Sequence, residues 1–234
     1  MKKIFVILTL ISINQIRPQY LQPYFPYYSQ AGQDKFVNEN IFKDKKKGVF
    51  VDVGAHDGIS YSNSYYFEKE NEWTGICVEP HPTIFPQLIK NRKATCFQVC
   101  IGNAEGLVDF MKVDGAAEML SGMTHGLDPR HLARINNEIN ALGGLASVIK
   151  VPIRTLSSLL KEINLLEIDF LSVDVEGGEM EVIQGIDFDS IKIKCILIEN
   201  AYPDKFQVIR DLLLSKNYQH FASLSFDEVF VLNE

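Results

Sequence analysis

The chain has 234 residues, of which 46% are hydrophobic and 23% charged, with 15 Gly and 9 Pro. That composition excludes collagen-like, coiled-coil and wholly disordered architectures and fits one α/β domain. Asp and Glu number 30 against 23 Lys and Arg, a formal net charge of −7, so the chain lacks the positive field that holds phosphate backbones or anionic membranes, and no nucleic-acid partner is expected.

Along the chain, Lys2-Lys3 and the apolar run Ile4 to Ile13 resemble the first two regions of a signal peptide. The run is about half the ~20 residues of a membrane span, and Ile13-Asn14-Gln15 offers no small-residue cleavage pair. A cytoplasmic location is expected, with export or membrane attachment through this segment left open. Residues 17–28, RPQYLQPYFPYY, hold three prolines and four tyrosines and read as an extended arm. The division is therefore 1–28, an apolar segment and arm, and 29–234, the domain.

A helix is expected over Ala31 to Phe42, then a charged turn from Lys43 to Gly48 and a strand from Val49 to Val53. A helix over Tyr61 to Lys69 leads to a second strand, Gly75 to Val78. Pro82 opens a helix reaching Arg92, and Ala94 to Ile101 reads as a third strand. Leu107 to Val113 is its hairpin partner or extension. Residues 114–145 form an insert of lid size, where Asp128-Pro129 starts a helix with the stripe Leu132, Ile135, Ile139, Leu142 and Gly143-Gly144 ends it. Ser147 to Ile153 is extended, and Thr155 caps a helix carrying Leu156, Leu159, Leu160 and Ile163. Ile168 to Val173 is a fourth strand, Val182 to Ile186 a short helix and Ile191 to Ile198 a fifth strand. A helix over Phe206 to Leu214 precedes two closing strands, Phe221 to Leu224 and Glu228 to Leu232. Such alternation predicts a mostly parallel sheet with helices on both faces and an antiparallel C-terminal edge. Cys77, Cys96, Cys100 and Cys195 lie in apolar runs without metal-ligand spacing and read as reduced core residues.

In sheets of this kind ligands bind beyond the carboxyl ends of the strands, here after Val53, Val78, Val99, Val173 and Ile198. After the first comes Asp52-Val53-Gly54-Ala55-His56-Asp57-Gly58. A dinucleotide fingerprint needs a middle glycine for the pyrophosphate, and His56 stands there instead. Asp52 at the strand end suits a cationic ligand. Glu79, 21 residues beyond Gly58, has the spacing of a carboxylate that accepts ribose hydroxyls. Asp174, Glu176 and Glu179 crowd the end of the fourth strand, where repulsion raises at least one pKa; a general base, a hydroxyl acceptor and a metal ligand are the functional readings, and acids in a helix's first turn the structural one. Glu199-Asn200 closes the fifth strand on the same rim. His56 and His81 lie in ligand-facing turns, His125 and His131 read as solvent-exposed, and His220 as structural.

FVDVGAHDG at 50–58, CVEPHP at 77–82, IGNAEG at 101–106, the Thr155–Leu160 segment and VDVEGGEMEVIQG at 173–185 together resemble the FkbM family of S-adenosylmethionine-dependent methyltransferases. The resemblance covers Ser29 to Leu232. It implies a Rossmann-like class I methyltransferase fold with a mostly parallel seven-stranded sheet, S-adenosyl-L-methionine as cofactor and O-methylation of a hydroxyl on a sugar or other small-molecule or glycan acceptor. Residue by residue it implies that Asp52, Gly54, Ala55, His56 and Gly58 surround the methionine moiety and that Glu79 and Pro80 meet the ribose. Cys100 and Ile101 would reach the adenine, and Asp174 and Glu176 would lie beside the transferred methyl. Asp174 is the first choice of base and Glu176 the second, with His56 a further catalytic candidate; no metal is assigned. A silent domain of the same fold, a nicotinamide-dependent oxidoreductase and metal-assisted chemistry through the carboxylates are the alternatives.

Overall fold

The computed structural model describes residues 26–233; the apolar segment and most of the arm, with the location read from them, lie outside the described residues. Tyr27 and Tyr28, assigned to the arm, belong to the folded domain. Their rings sit 4.2 Å from Tyr66 and 4.7 Å from Tyr65, so burial of aromatic surface draws the arm's end onto the body. Helix α1 (Gln33–Val37) follows and continues into a π-helical turn, Asn38–Phe42.

Strand β1 (Val49–Val53), helix α2 (Tyr65–Asn71), strand β2 (Thr74–Val78), helix α3 (Phe85–Asn91) and strand β3 (Thr95–Phe97) build one half of the sheet. Helix α2 starts four residues later than the pattern suggests, because Tyr61 has left-handed backbone (φ 57) and the Ser62 hydroxyl accepts from Ser64 and Tyr65 N–H groups. In α3 the proline of the first turn is Pro86, not Pro82.

The apolar run after α3 is two strands rather than one. β3 stays in the main sheet, while β4 (Cys100–Gly102) joins a second sheet with β5 (Gly106–Gly115), β6 (Gly122–Met123) and β7 (Gly144–Thr155). Its order is β4-β7-β5-β6. β5 and β7 form a long antiparallel ribbon from Gly106 opposite Ile153 to Gly115 opposite Gly144. The insert therefore springs from the ribbon's tip: residues 116–143 carry a 3₁₀ turn, Glu118–Leu120, then β6 and helix α4 (Pro129–Leu142). Asp128 caps α4 by accepting from Arg130 N–H at 2.8 Å. Its buried residues are His131 and Ile135, while Leu132 and Leu142 of the expected stripe are exposed; one i, i+4 row suffices to dock it on the ribbon.

Helix α5 (Leu156–Glu162), capped by Thr155, strand β8 (Glu167–Val173), helix α6 (Glu179–Gln184), strand β9 (Lys192–Glu199), helix α7 (Pro203–Ser215) and strands β10 (Tyr218–Leu224) and β11 (Asp227–Leu232) complete the chain. The main sheet has seven strands in the order β10-β11-β9-β8-β1-β2-β3. β11 pairs antiparallel with both neighbours, and the other pairings are parallel. The order is doubly wound, with its switch between β1 and β8.

Alternation along each strand divides two cores. Val51, Ile76, Leu171 and Ile196 face α5, α6 and α7, while Phe50, Cys77, Phe170 and Leu197 face α1, α2 and α3. Cys77, Cys100 and Cys195 are buried, Cys96 is half-buried, and all four are free thiols. Among the described residues no helix is long and apolar enough to cross a membrane.

Candidate active site

The carboxyl ends of β1, β2, β8 and β9 surround a cavity of about 410 Å³, placed where a doubly wound sheet opens between strands that diverge. The glycine loop after β1 is its floor. The N–H groups of Gly54 and Ala55 both donate to the Val78 carbonyl at 3.0 Å, and Asp174 N–H donates to the Val53 carbonyl at 3.0 Å. β1 is thereby stitched to both neighbours just past its last residue. Gly54 has φ 89 and no room for a side chain, so its conformation requires glycine.

Glu79 follows β2 and is buried. Its two carboxyl oxygens accept the backbone N–H groups of His56 at 2.9 Å and of His81 at 2.7 Å. Burial raises its pKa against the pull of those bonds and of His56. His81 is locked beside it: Nε2 lies 3.0 Å from the Val113 carbonyl, and Nδ1 accepts Thr83 N–H at 3.2 Å.

Asp52 lines the cavity but is not free to serve a cationic ligand alone. Its Oδ2 accepts the Ser64 hydroxyl at 2.5 Å and lies 3.7 Å from the fully buried Arg92 guanidinium. Arg92 also pairs with Glu68 at 3.2 Å, and it bonds the Ser64 hydroxyl at 2.9 Å and the Gly58 carbonyl at 3.2 Å. A Cβ on Gly58 would come within 2.6 Å of Arg92 and 2.7 Å of Leu88. Gly58 thus makes room for Arg92 and does not reach the cavity wall. Pro80, Cys100 and Ile101 are also absent from that wall. Cys100 lies buried among Phe110, Met123 and Val151, and Ile101 in the main core, because β4 leaves the main sheet before it could present them.

His56 has left-handed backbone (φ 48) and two buried ring nitrogens without hydrogen-bond partners. Nδ1 is 3.8 Å from Asp57 and Nε2 is 3.5 Å from Glu118. Burial disfavours its charge, but Asp57, Glu79 and Glu118 outweigh burial and raise its pKa. A raised pKa makes the ring a stronger proton acceptor, so His56 remains a catalytic candidate on the cavity wall.

On the opposite rim, oxygens of Asp174, Glu176 and Glu199 all lie within 4.8 Å of one another, compact enough to share a proton or surround a cation. Burial, then Glu176, Asp227 and Glu179, hold Asp174 well above the usual carboxylate range. Burial pushes Glu176 up to about 7 against the pull of Arg134. Burial and then Asp174 and Glu176 push Glu199 up to about 11. Glu179 does not line this cavity; it turns back to accept the Gly177 and Val175 N–H groups at 2.9 and 3.3 Å.

His131, expected in solvent, is buried against this rim, its Nδ1 3.4 Å from Glu176 Oε2. His220 bonds Glu228 at 2.5 Å, away from the cavity. Sequence reasoning missed Gln30, Asn63, Glu118, Arg134 and Phe226, all on the wall. Only Arg134 left a signal, one turn beyond His131 on α4. The wall carries six carboxylates (Asp52, Glu79, Glu118, Asp174, Glu176 and Glu199) and one guanidinium, Arg134. Burial pushes Asp174 and Glu199 toward the neutral form and Arg92 partners Asp52, so the wall offers carboxyl oxygens to a cation or a hydroxyl and one guanidinium to a pyrophosphate.

A family model described as the methyltransferase FkbM domain matches residues 52–220. The chain is 26% identical over 210 residues to Methyltransferase 1 of Beauveria bassiana (strain ARSEF 2860), covering 79% of this chain and 80% of that protein. A crystal structure of methyltransferase FkbM from Methylobacillus flagellatus KT is 14% identical with a TM-score of 0.48, over 80% of this chain and 44% of that one, so the chain spans less than half of that protein. The N-terminal domain of human METTL16 in complex with SAH is 11% identical with a TM-score of 0.44, over 86% of this chain and 68% of that one. The family assignment rests on the first match, which spans most of the chain.

Proposed function

The chain belongs to the methyltransferase FkbM family, with the Rossmann-like class I methyltransferase fold, and on that premise we propose that it methylates a hydroxyl of a sugar or other small-molecule acceptor using S-adenosylmethionine. The observation that carries this reading is the cavity's lining: six carboxyl groups, with Asp174 and Glu199 pushed toward the neutral form and Asp52 paired with Arg92, against one guanidinium at the switch point of the sheet. A ligand with a sulfonium and an ammonium fits that wall, whereas a nicotinamide dinucleotide brings two phosphates to it. The unpartnered buried oxygens Glu176 Oε2 and Glu199 Oε2 mark where positive charge or a donated proton is wanted.

Gly54, Ala55 and Asp52 would flank the amino-acid end of the cofactor, and Glu79 the ribose. Bound there, the cofactor supplies a methyl group already activated for transfer. The chain's share of the work is to align the acceptor, exclude water and take its proton. Glu176 suits that last task better than Asp174, the first choice from sequence. A base works best with a pKa near the working pH; Glu176 at about 7 meets this, while burial and neighbouring carboxyls raise Asp174 well above the usual carboxylate range and Glu199 to about 11.

Calorimetric titration with S-adenosylmethionine, S-adenosylhomocysteine and NAD tests the reading. The two sulfur ligands are expected to bind and to raise the unfolding free energy by roughly 2.7 kcal/mol at 100 times their dissociation constant. Binding of NAD alone would overturn it. Labelled-methyl transfer to a panel of glycosides and other small alcohols, with amines as controls, then separates a hydroxyl acceptor from an amine.

A further inference from the structure

We infer that His131 is a positioning residue for Glu176, fixing that carboxyl as the proton acceptor of the transfer; the inference rests on the methyl-transfer reading above. His131 belongs to α4 in the insert, far in sequence from the strand ends, yet it is 2% exposed. Its Nε2 lies 2.9 Å from the Leu120 carbonyl. A carbonyl can only accept, so Nε2 carries the ring proton, and Nδ1 of the neutral ring presents a lone pair. Burial pulls this ring below the usual histidine range, which keeps it neutral.

The Nδ1 lone pair faces Glu176 Oε2 at 3.4 Å, and that oxygen is buried without a hydrogen-bond partner. An ionised carboxylate and a lone pair gain nothing from this contact, whereas a carboxylic acid and a lone pair make a hydrogen bond. The geometry therefore stabilises Glu176 at the moment it gains a proton. During transfer the acceptor's oxygen–carbon bond forms while the carbon–sulfur bond breaks, its electron pair staying on sulfur. The acceptor's proton passes to Glu176, whose O–H can then donate to Nδ1. Among the described residues His131 contacts Glu176 and neither Asp174 nor Glu199, which singles out Glu176 among the three rim carboxyls.

The two ring nitrogens can be tested separately. His131→Asn keeps a polar atom near Nδ1 and loses the one facing Leu120, whereas His131→Gln does the reverse. Each variant, the wild type and Glu176→Gln would be titrated calorimetrically at pH 6 with S-adenosylmethionine and S-adenosylhomocysteine as probes, ligands that differ by one methyl and one positive charge. At this pH the wild-type Glu176 is mostly protonated, and loss of the Nδ1 acceptor releases that proton, so His131→Gln is expected to raise the preference for the charged ligand up to about tenfold, with His131→Asn and Glu176→Gln close to wild type. Equal gains in both His131 variants, or none in His131→Gln, would overturn the inference while leaving the methyl-transfer reading intact. Failure of both probes to bind the wild type would overturn the two together. A second measurement needs no His131 variant: ring-nitrogen NMR of the wild type is expected to show the Nε2–H form, with an Nδ1 signal that shifts in Glu176→Gln. An Nδ1–H form, or an unshifted signal, counts against the assignment.

Discussion

A Cβ added to Gly54 would lie 1.6 Å from the backbone oxygen of Asp174. The ends of β1 and β8 therefore touch with nothing between them, and the glycine loop and the acidic rim share one wall. Gly54→Ala would add both a steric clash and a strained backbone at φ 89. The expected loss of unfolding free energy is about 2–4 kcal/mol, from strain and overpacking together. Urea unfolding checks it, and a loss below about 0.5 kcal/mol, the size of an ordinary surface change, would mean that the strand ends do not meet as described.

Arg92 is a fully buried cation between two carboxylates, Asp52 at 3.7 Å and Glu68 at 3.2 Å. Replacing it by Met leaves both acids buried without their counter-charge. Breaking such a pair costs about 3–5 kcal/mol. Denaturant unfolding of Arg92→Met should show that loss, and the same variant should bind S-adenosylhomocysteine more weakly because Asp52 and the Gly58 carbonyl lose their anchor.

Glu79 accepts two backbone N–H groups, one through each carboxyl oxygen. Glu79→Gln turns one acceptor into a donor that faces an N–H group. The cost expected for an unsatisfied buried donor is about 1–3 kcal/mol. Melting of the variant with and without S-adenosylhomocysteine separates the two roles, since loss of the ribose contact would also shrink the ligand-induced rise.

Stability should fall as pH rises through neutrality. Asp174, Glu176, Glu179 and Glu199 all have pKa values raised by burial. Over the range between its unfolded and folded values, each such group holds its proton more in the folded state, so raising the pH removes stability. For Glu176 the window runs from its ordinary 4.5 to about 7. His81 and His131, lowered by burial, act in the opposite direction, but they are outnumbered. The melting temperature of the ligand-free protein is expected to drop from pH 5 to pH 8. Glu176→Gln should raise it more at pH 8 than at pH 5, and a flat difference would contradict the burial of this carboxyl.

Much of the fold was legible before any coordinates. Val49–Val53, Ile168–Val173 and Ile191–Ile198 are short apolar runs bounded by turn residues, and a strand buried on both faces needs little else. Because ligands gather where such strands end, Asp52, Gly54, Glu79, Asp174 and Glu176 could be placed at one rim by counting from those ends, and the structure brings them to one cavity.

What the sequence by itself determined is the set of local elements and the chemistry at their ends, since both depend on neighbours a few residues away. Only the tertiary structure decided that β4 leaves the main sheet, that Gly58 faces Arg92, and that α4 carries His131 to Glu176. An apolar run reads the same in either sheet, and a histidine on a polar helix reads as exposed until its partner is known. Those outcomes depend on contacts between residues distant in the chain, where the burial of one group is set by the shape and charge of another.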